Sequence, residues 1–155
     1  RVTIDNKNSL IYKLRTMRND AEVATGPVIS GKKDPRVTPI GRFRRRSKLD
    51  EVPQFFNVLR GEMSVVGPRP EVKKYVDLYT EEQYKVLNVR PGLTDWASLY
   101  YIDENELLGK SSDPEKTYIN EIMPAKLALN KKYINDARLL TDLEIIFKTI
   151  FKIFR

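Results

Sequence analysis

The 155 residues contain no cysteine and no histidine. Without thiols there are no disulfides and no thiolate metal sites. Without imidazole, the commonest general base and metal ligand is missing. Any catalysis must rest on carboxylates, Lys, Arg, Tyr, Ser or Thr. No apolar run approaches about 18 residues, and no signal-peptide pattern occurs, so nothing in this sequence is built to span a bilayer as a helix. Internal repeats and low-complexity segments are also absent. Glycine is scarce, at seven residues beside nine prolines. Each Gly or Pro turn is therefore an informative punctuation mark.

What is present reads as one domain. Apolar residues make up 41% and charged residues 32%, a globular rather than disordered composition. The chain carries 28 basic and 21 acidic residues, a net charge of +7. Its natural partners are thus anionic: nucleotide, phospholipid or nucleic acid.

Local pattern places the elements. Residues 2–4 and 9–14 alternate like a short hairpin around Asp5-Asn6-Lys7-Asn8. Residues 19–36, with Gly26-Pro27, Gly31 and Asp34-Pro35, read as loop. A short basic helix covers about 39–47. Val52, Phe55, Phe56 and Leu59 then recur on one helical face. That helix has Asp50 at the N-cap, Pro53 in its first turn and Gly61 at its end. Met63–Val66 is a short buried strand or turn, and 71–79 a helix. Thr80-Glu81-Glu82-Gln83 is a capping box opening a turn to about Leu87. Residues 90–96 are turn-rich, Glu104–Leu108 helical, and Asp113-Pro114 starts a helix reaching about Asn135. The last helix runs over 141–154. The fold class is α+β, a helix-dominated single domain with a short N-terminal β-hairpin and amphipathic helices suited to a membrane interface.

Three features carry chemistry. Asp50–Glu51 reads plainly as a cap followed by an acid that suits the helix dipole. It also reads as a nucleophile or metal dyad. Arg42, Arg44, Arg45, Arg46 and Lys48 crowd the positions before it and favour the ionised carboxylate. Such a carboxylate can attack phosphorus, and an adjacent one suits Mg²⁺. The basic run is either a solvated face or an Arg fork for phosphate. Nucleic acid fits it less well, because no reading motif appears and aromatics do not interleave with the basic residues. Gly67-Pro68-Arg69-Pro70 and Arg90-Pro91-Gly92 are turns that pre-set an Arg, as phosphate recognition requires.

The terminal helix offers a wide apolar arc (Leu143, Ile145, Ile146, Phe147, Ile150, Phe151, Ile153, Phe154) with Lys148, Lys152 and Arg155. It reads as a core helix with a Lys stripe, or as a membrane-interface helix.

Several segments together resemble the bacterial sugar transferase family, the monotopic phosphoglycosyl transferases that start glycan assembly on a polyprenyl phosphate. They are Arg1-Val2, 11–17 (IYKLRTM), 34–43 (DPRVTPIGRF), 49–70 and 89–94 (VRPGLT). The resemblance runs from Arg1 to about Trp96 and again from Tyr133 to the C-terminus. It implies that Asp50 is the nucleophile on a UDP-sugar, releasing UMP and forming a phosphosugar–enzyme intermediate that polyprenyl (undecaprenyl) phosphate then attacks. It implies a Mg²⁺ requirement, met by Glu51 with Asp50. Arg15, Arg45 and Arg69 would contact phosphates or nucleotide; Arg90, by its own similar turn, is expected to face the same pocket. The implied location is the cytoplasmic face of the bacterial inner membrane, with no nucleic-acid partner.

Two departures stand out. The family's basic, apolar re-entrant helix is absent from these residues, so 1–155 reads as the catalytic domain alone. Asp95 stands where many members have Gly, and residues 97–132 follow a subgroup pattern around Tyr100-Tyr101-Ile102-Asp103-Glu104, which bears on sugar choice. The competing reading is a basic, non-enzymatic module on anionic membrane or nucleic acid, with Asp50 only a cap.

Overall fold

Thr38 starts the first helix, α1 (Pro39–Arg46), by accepting the Gly41 N–H at 2.9 Å, while Pro39 supplies a pre-set first turn. This is a computed structural model that describes residues 1–7, 9–20 and 34–153. Most of the 19–36 loop, Asn8 of the hairpin, Phe154 and Arg155 lie outside the described residues.

After α1 the chain turns at Lys48, which takes the left-handed conformation at φ 57°. Leu49–Gln54 follow as a 3₁₀ helix and Phe55–Leu59 as α2. The expected single helix from Asp50 is therefore in two pieces, and Asp50 is not its N-cap. Pro53 is the cause. It lacks the N–H that would make the first α-type bond, so the first turn stays tight. Gly61 does end the helix, at φ 74°, donating to the Val58 carbonyl at 2.9 Å.

The apolar face of this segment is not core. Val52, Phe55, Phe56 and Leu59 are 51%, 51%, 64% and 83% exposed. Leu49, together with Ile40 and Phe43 of the abutting α1, is exposed as well. What the segment buries instead is polar: Asp50, Gln54 and Asn57.

Asn57 explains the N-terminal segment. The chain ends of residues 1–9 do close on each other: the Ser9 N–H donates to the Arg1 carbonyl at 2.8 Å, and the Thr3 N–H to Lys7. Between them lies a 3₁₀ turn, Ile4–Asn6. Residues 10–14, however, do not continue as the second arm of a hairpin. They lie along α2 because Asn57 accepts the Tyr12 N–H at 3.1 Å and donates to the Leu10 carbonyl at 2.8 Å. The Leu14 N–H reaches the Asp50 carbonyl at 2.9 Å.

The sheet is one parallel pair, β1 (Ser64–Val66) and β2 (Gly92–Thr94), with Ser64 opposite Gly92 and Val66 opposite Thr94. A parallel pair needs a crossover. Here it holds α3 (Lys73–Val76), α4 (Glu81–Tyr84) and the 3₁₀ turn Lys85–Asn88. The capping box at Thr80 and Gln83 forms as expected. Gly67 and Gly92 face each other so closely that a Cβ on Gly92 would stand 2.2 Å from the Gly67 nitrogen. Only glycine fits at this junction.

Asp95 ends β2 and caps α5 (Trp96–Tyr100), accepting the Ser98 N–H at 2.6 Å. Next come α6 (Glu104–Gly109) and α7 (Pro114–Thr117). A π-helical turn, Tyr118–Ile122, leads into α8 (Met123–Asn135). Pro124 cannot donate within the continuing helix, and the widened turn absorbs that loss. Tyr75, Val86, Leu108, Tyr118, Ile122, Met123 and Leu127 form one core cluster.

The last helix, α9 (Leu139–Ile153), docks on β1, β2 and α5 through a second cluster, Val66, Leu99, Tyr133 and Ile145. Thr94 and Thr149 share a hydrogen bond at 2.7 Å across this contact. Ile145 is wholly buried, so Ile145→Ala would cost about 2–5 kcal/mol. On the other side Phe147, Ile150 and Phe151 are exposed. The lysines are less free for headgroups than their spacing suggests. Lys152 donates to the Leu99 carbonyl at 2.6 Å, and Lys148 sits 4.8 Å from the Trp96 ring centroid while pairing with Glu144. Among the described residues no helix is long and apolar enough to cross a membrane.

Candidate active site

Asp50 lies on the 3₁₀ turn after Lys48, which inverts the chain and points the dyad inward from a surface helix. Asp50 is 1% exposed. Its Oδ2 meets the Lys13 ammonium at 2.9 Å, whereas Oδ1 is buried with no hydrogen-bond partner. A buried carboxylate oxygen left unpaired is costly, and such a group calls for a functional reason.

Glu51 is also enclosed, with 14% of its side chain exposed. Its Oε1 accepts from Arg69 Nη2 and lies 3.5 Å from Lys13 Nζ. Burial alone would raise the Glu51 carboxyl. Arg69, reinforced by Lys48 and Lys13, outweighs it and holds the pKa at about 2. Lys13 thus bridges both acids, and Arg69 fixes the second.

Arg69 is set by its turn. Gly67 donates to the Thr94 carbonyl at 3.0 Å, and Gly92 to the Pro68 carbonyl at 2.9 Å, locking the Gly-Pro-Arg-Pro segment onto β2. The Arg69 backbone N–H then reaches Asp95 Oδ2 at 3.3 Å, and Nη1 the Leu93 carbonyl at 3.1 Å. The pre-set arginine expected from the flanking prolines is present, aimed at Glu51.

The other arginines are distributed differently. Arg15 binds Asn19, and Arg45 Nε donates to Thr16 Oγ1 at 2.9 Å. Arg45 lies toward Asp34, whose carboxyl is lowered chiefly by the hydrogen-bonded Arg36, with Arg45 adding to the effect. Arg90 is exposed ahead of β2. Among the described residues no ion pair joins Arg15 or Arg90 to Asp50 or Glu51.

Sequence reasoning passed over two contributors. Lys13 sits inside the segment 11–17, and only period-2 spacing on an extended chain, which puts it on one side with Arg15, could have flagged it. Asp95 was noted as a departure. It proves to be a fully buried cap that also receives the Arg69 N–H.

The donor set suits a hard divalent cation. Mg²⁺ takes one or two carboxylates and completes its shell with water and substrate phosphate. The unpartnered Asp50 Oδ1 and the ionised Glu51 meet that demand. Among the described residues no group of three or more acids is placed to hold a metal ion, so the remaining ligands would come from substrate and solvent.

Comparison with known proteins gives a consistent result. The whole chain, residues 1–155, matches the family described as bacterial sugar transferase. Over 154 residues it is 37% identical to the UDP-N-acetylgalactosamine-undecaprenyl-phosphate N-acetylgalactosaminephosphotransferase of Aeromonas hydrophila, covering 97% of this chain and 33% of that protein. It is 36% identical over 158 residues to the UDP-glucose:undecaprenyl-phosphate glucose-1-phosphate transferase of Escherichia coli K12, covering 98% and 31%. Galactosyl transferase CpsE of Streptococcus agalactiae serotype III is 35% identical over 150 residues, covering 90% and 30%. The chain spans about a third of the length of these relatives.

Proposed function

The chain belongs to the bacterial sugar transferase family, and from that membership we propose that it moves a sugar 1-phosphate from a UDP-sugar to polyprenyl phosphate, with Asp50 as the covalent nucleophile. An Asp50 carboxylate oxygen attacks the phosphorus that bears the sugar. The bond to the bridging diphosphate oxygen breaks, and UMP leaves with that electron pair. A phosphate oxygen of polyprenyl phosphate then attacks the same phosphorus and expels the Asp50 carboxylate. The products are UMP and a polyprenyl diphosphate sugar. No proton has to be abstracted from either nucleophile, which agrees with a sequence lacking histidine.

The observation that carries this reading is the unequal pair of oxygens on Asp50. Lys13 holds Oδ2 at 2.9 Å, and Oδ1 keeps its lone pairs uncommitted. Lys13 and Arg69 supply positive charge where the pentavalent phosphorus accumulates negative charge. Glu51, ionised down to about pH 2, keeps Arg69 oriented until substrate phosphate competes for it. Mg²⁺ bound by Glu51 and Asp50 would neutralise diphosphate charge and ease the departure of UMP.

The acceptor's tail remains in lipid, so the dyad has to work at a bilayer surface. The exposed apolar side chains Leu49 and Val52, immediately flanking the dyad, and Phe55, Phe56 and Leu59 beyond it support contact with that surface. We propose that this reaction takes place at the cytoplasmic face of the inner membrane, as the family resemblance implies.

The test is UMP release by the complete protein with a UDP-sugar, undecaprenyl phosphate and Mg²⁺, comparing wild type with Asp50→Asn. With UDP-sugar alone, mass spectrometry should find phosphosugar on Asp50 and kinetics should be ping-pong. An Asn variant retaining more than a few per cent of turnover would refute the nucleophile.

A further inference from the structure

Arg69 also lines a cavity of about 160 Å³ to which neither Asp50 nor Glu51 contributes, bounded by the Gly-Pro-Arg-Pro turn, Asp95, the π-turn and α8. It is smaller than the about 300–1,000 Å³ pockets that enclose drug-sized ligands. It has room for a single sugar ring and not for a whole nucleoside.

Its charges are already matched. Lys126 pairs with Glu104 at 2.8 Å, and Arg1 with Glu71 at 3.4 Å. Tyr118 also donates to Glu71. The Arg69 guanidinium pairs with Glu51, and Asp95 accepts the backbone N–H groups of Arg69 and Ser98. A wall of compensated charges gives little to a further anion and suits a neutral, hydroxyl-rich ligand. One group in this wall is not matched. Asn130 on α8 is 6% exposed, and its Oδ1 has no hydrogen-bond partner. Nothing in the packing of α8 requires an amide there, since its buried helical neighbours are Met123, Leu127 and Tyr133.

We infer that this cavity receives the sugar of the UDP-sugar, and that Asn130 selects among sugars by accepting a hydrogen bond from a hydroxyl or acetamido N–H. The inference rests on the transferase reading above. Geometry supports it through Arg69, which touches Glu51 with one end of its guanidinium and lines the cavity as well. Arg69 is thus common to the dyad and the cavity wall, so a phosphate bound at Arg69 lies next to a residue of both. The partly buried Tyr79 and the apolar Leu127 complete a lining with polar and non-polar faces, as a sugar ring presents.

The experiment uses the complete protein with four donors: UDP-glucose, UDP-galactose, UDP-N-acetylglucosamine and UDP-N-acetylgalactosamine. Asn130→Ala should lower kcat/KM for the preferred donor roughly five- to a hundredfold, the range for an unmatched buried polar group, and lower the others less. Inhibition by UMP, which carries no sugar, should stay within twofold. Tyr79→Phe removes one hydroxyl from the same wall and should act in the same direction with a smaller factor. It carries the test by the same criteria if Asn130→Ala fails to fold. An equal loss on all four donors, no loss on any of them, or weakened UMP inhibition overturns the inference while leaving the transferase reading intact. Absence of UMP release by wild type from every donor removes both.

Discussion

Lys13 Nζ stands 2.9 Å from Asp50 Oδ2 and 3.5 Å from Glu51 Oε1, so one flexible cation serves two buried acids. Lys13 is half in solvent while Asp50 is sealed. The pair is thus arranged to hold Asp50 in place, more than to stabilise the fold. Lys13→Met should reduce UMP release at least tenfold and move the acid limb of the pH–rate profile upward, because Lys13 is one of the cations that depress Glu51. Lys13→Arg should recover part of the loss. An unaltered profile in Lys13→Met would assign the lysine to surface charge alone.

Glu51 makes stability depend on pH in a defined window. Its folded pKa, about 2, lies below the ordinary 4.5, so the folded state binds fewer protons than the unfolded state as pH falls. The contribution is complete above about pH 4.5 and is lost between there and about pH 2. Its size is on the order of 3 kcal/mol. Urea unfolding at pH 6 and pH 3 should show a steeper loss for wild type than for Glu51→Gln. Glu82, held low by Lys131 and Lys85, titrates in the same window but is unchanged between the two proteins. Equal slopes would mean that Glu51 is not an ionised, paired group in the fold.

Arg69 contacts Glu51 and the Leu93 carbonyl with separate guanidinium nitrogens. Arg69→Ala should cost about 2–4 kcal/mol of transition-state stabilisation, read as a fall in kcat/KM. Arg69→Lys should restore little, because a point charge cannot hold two partners in the geometry of a fork. Full activity in Arg69→Lys would make the Gly-Pro-Arg-Pro segment a turn and nothing more.

Phe147 and Phe151 project from the side of α9 opposite Ile145, 59% and 75% exposed. Replacing both with Ser should weaken binding to anionic vesicles and change stability by only a few tenths of a kcal/mol. Vesicle co-sedimentation and a thermal melt separate the two effects. A large fall in Tm with binding unchanged would mean that these rings serve the fold.

Legibility followed the range of the interactions. The Thr80–Gln83 capping box and the Gly61 stop are local and were plain from a few residues. Asp50, Glu51 and Arg69 stood out because their chemistry was dense in sequence. The parallel pairing of β1 with β2 did not, since each strand has three residues and the partner lies beyond a long crossover. Pro91-Gly92 also disguised β2 as a turn. The exposed face of Val52, Phe55, Phe56 and Leu59 has the period of a core helix, and periodicity alone cannot say whether protein or lipid covers it. Lys13 reaches the dyad only because Asn57 clamps residues 10–12 onto α2, an arrangement no local pattern announces.

The contact of Gly67 with Gly92 makes the two Arg-Pro turns one mechanical part. Arg69 follows one glycine by two residues, and Asp95 follows the other by three. A methyl group at either glycine would act as a wedge, levering the arginine from its acids and the Asp95 cap from its backbone partner together. Sequence change is therefore least tolerable at the hinge pin between the two turns, which admits no spare atom.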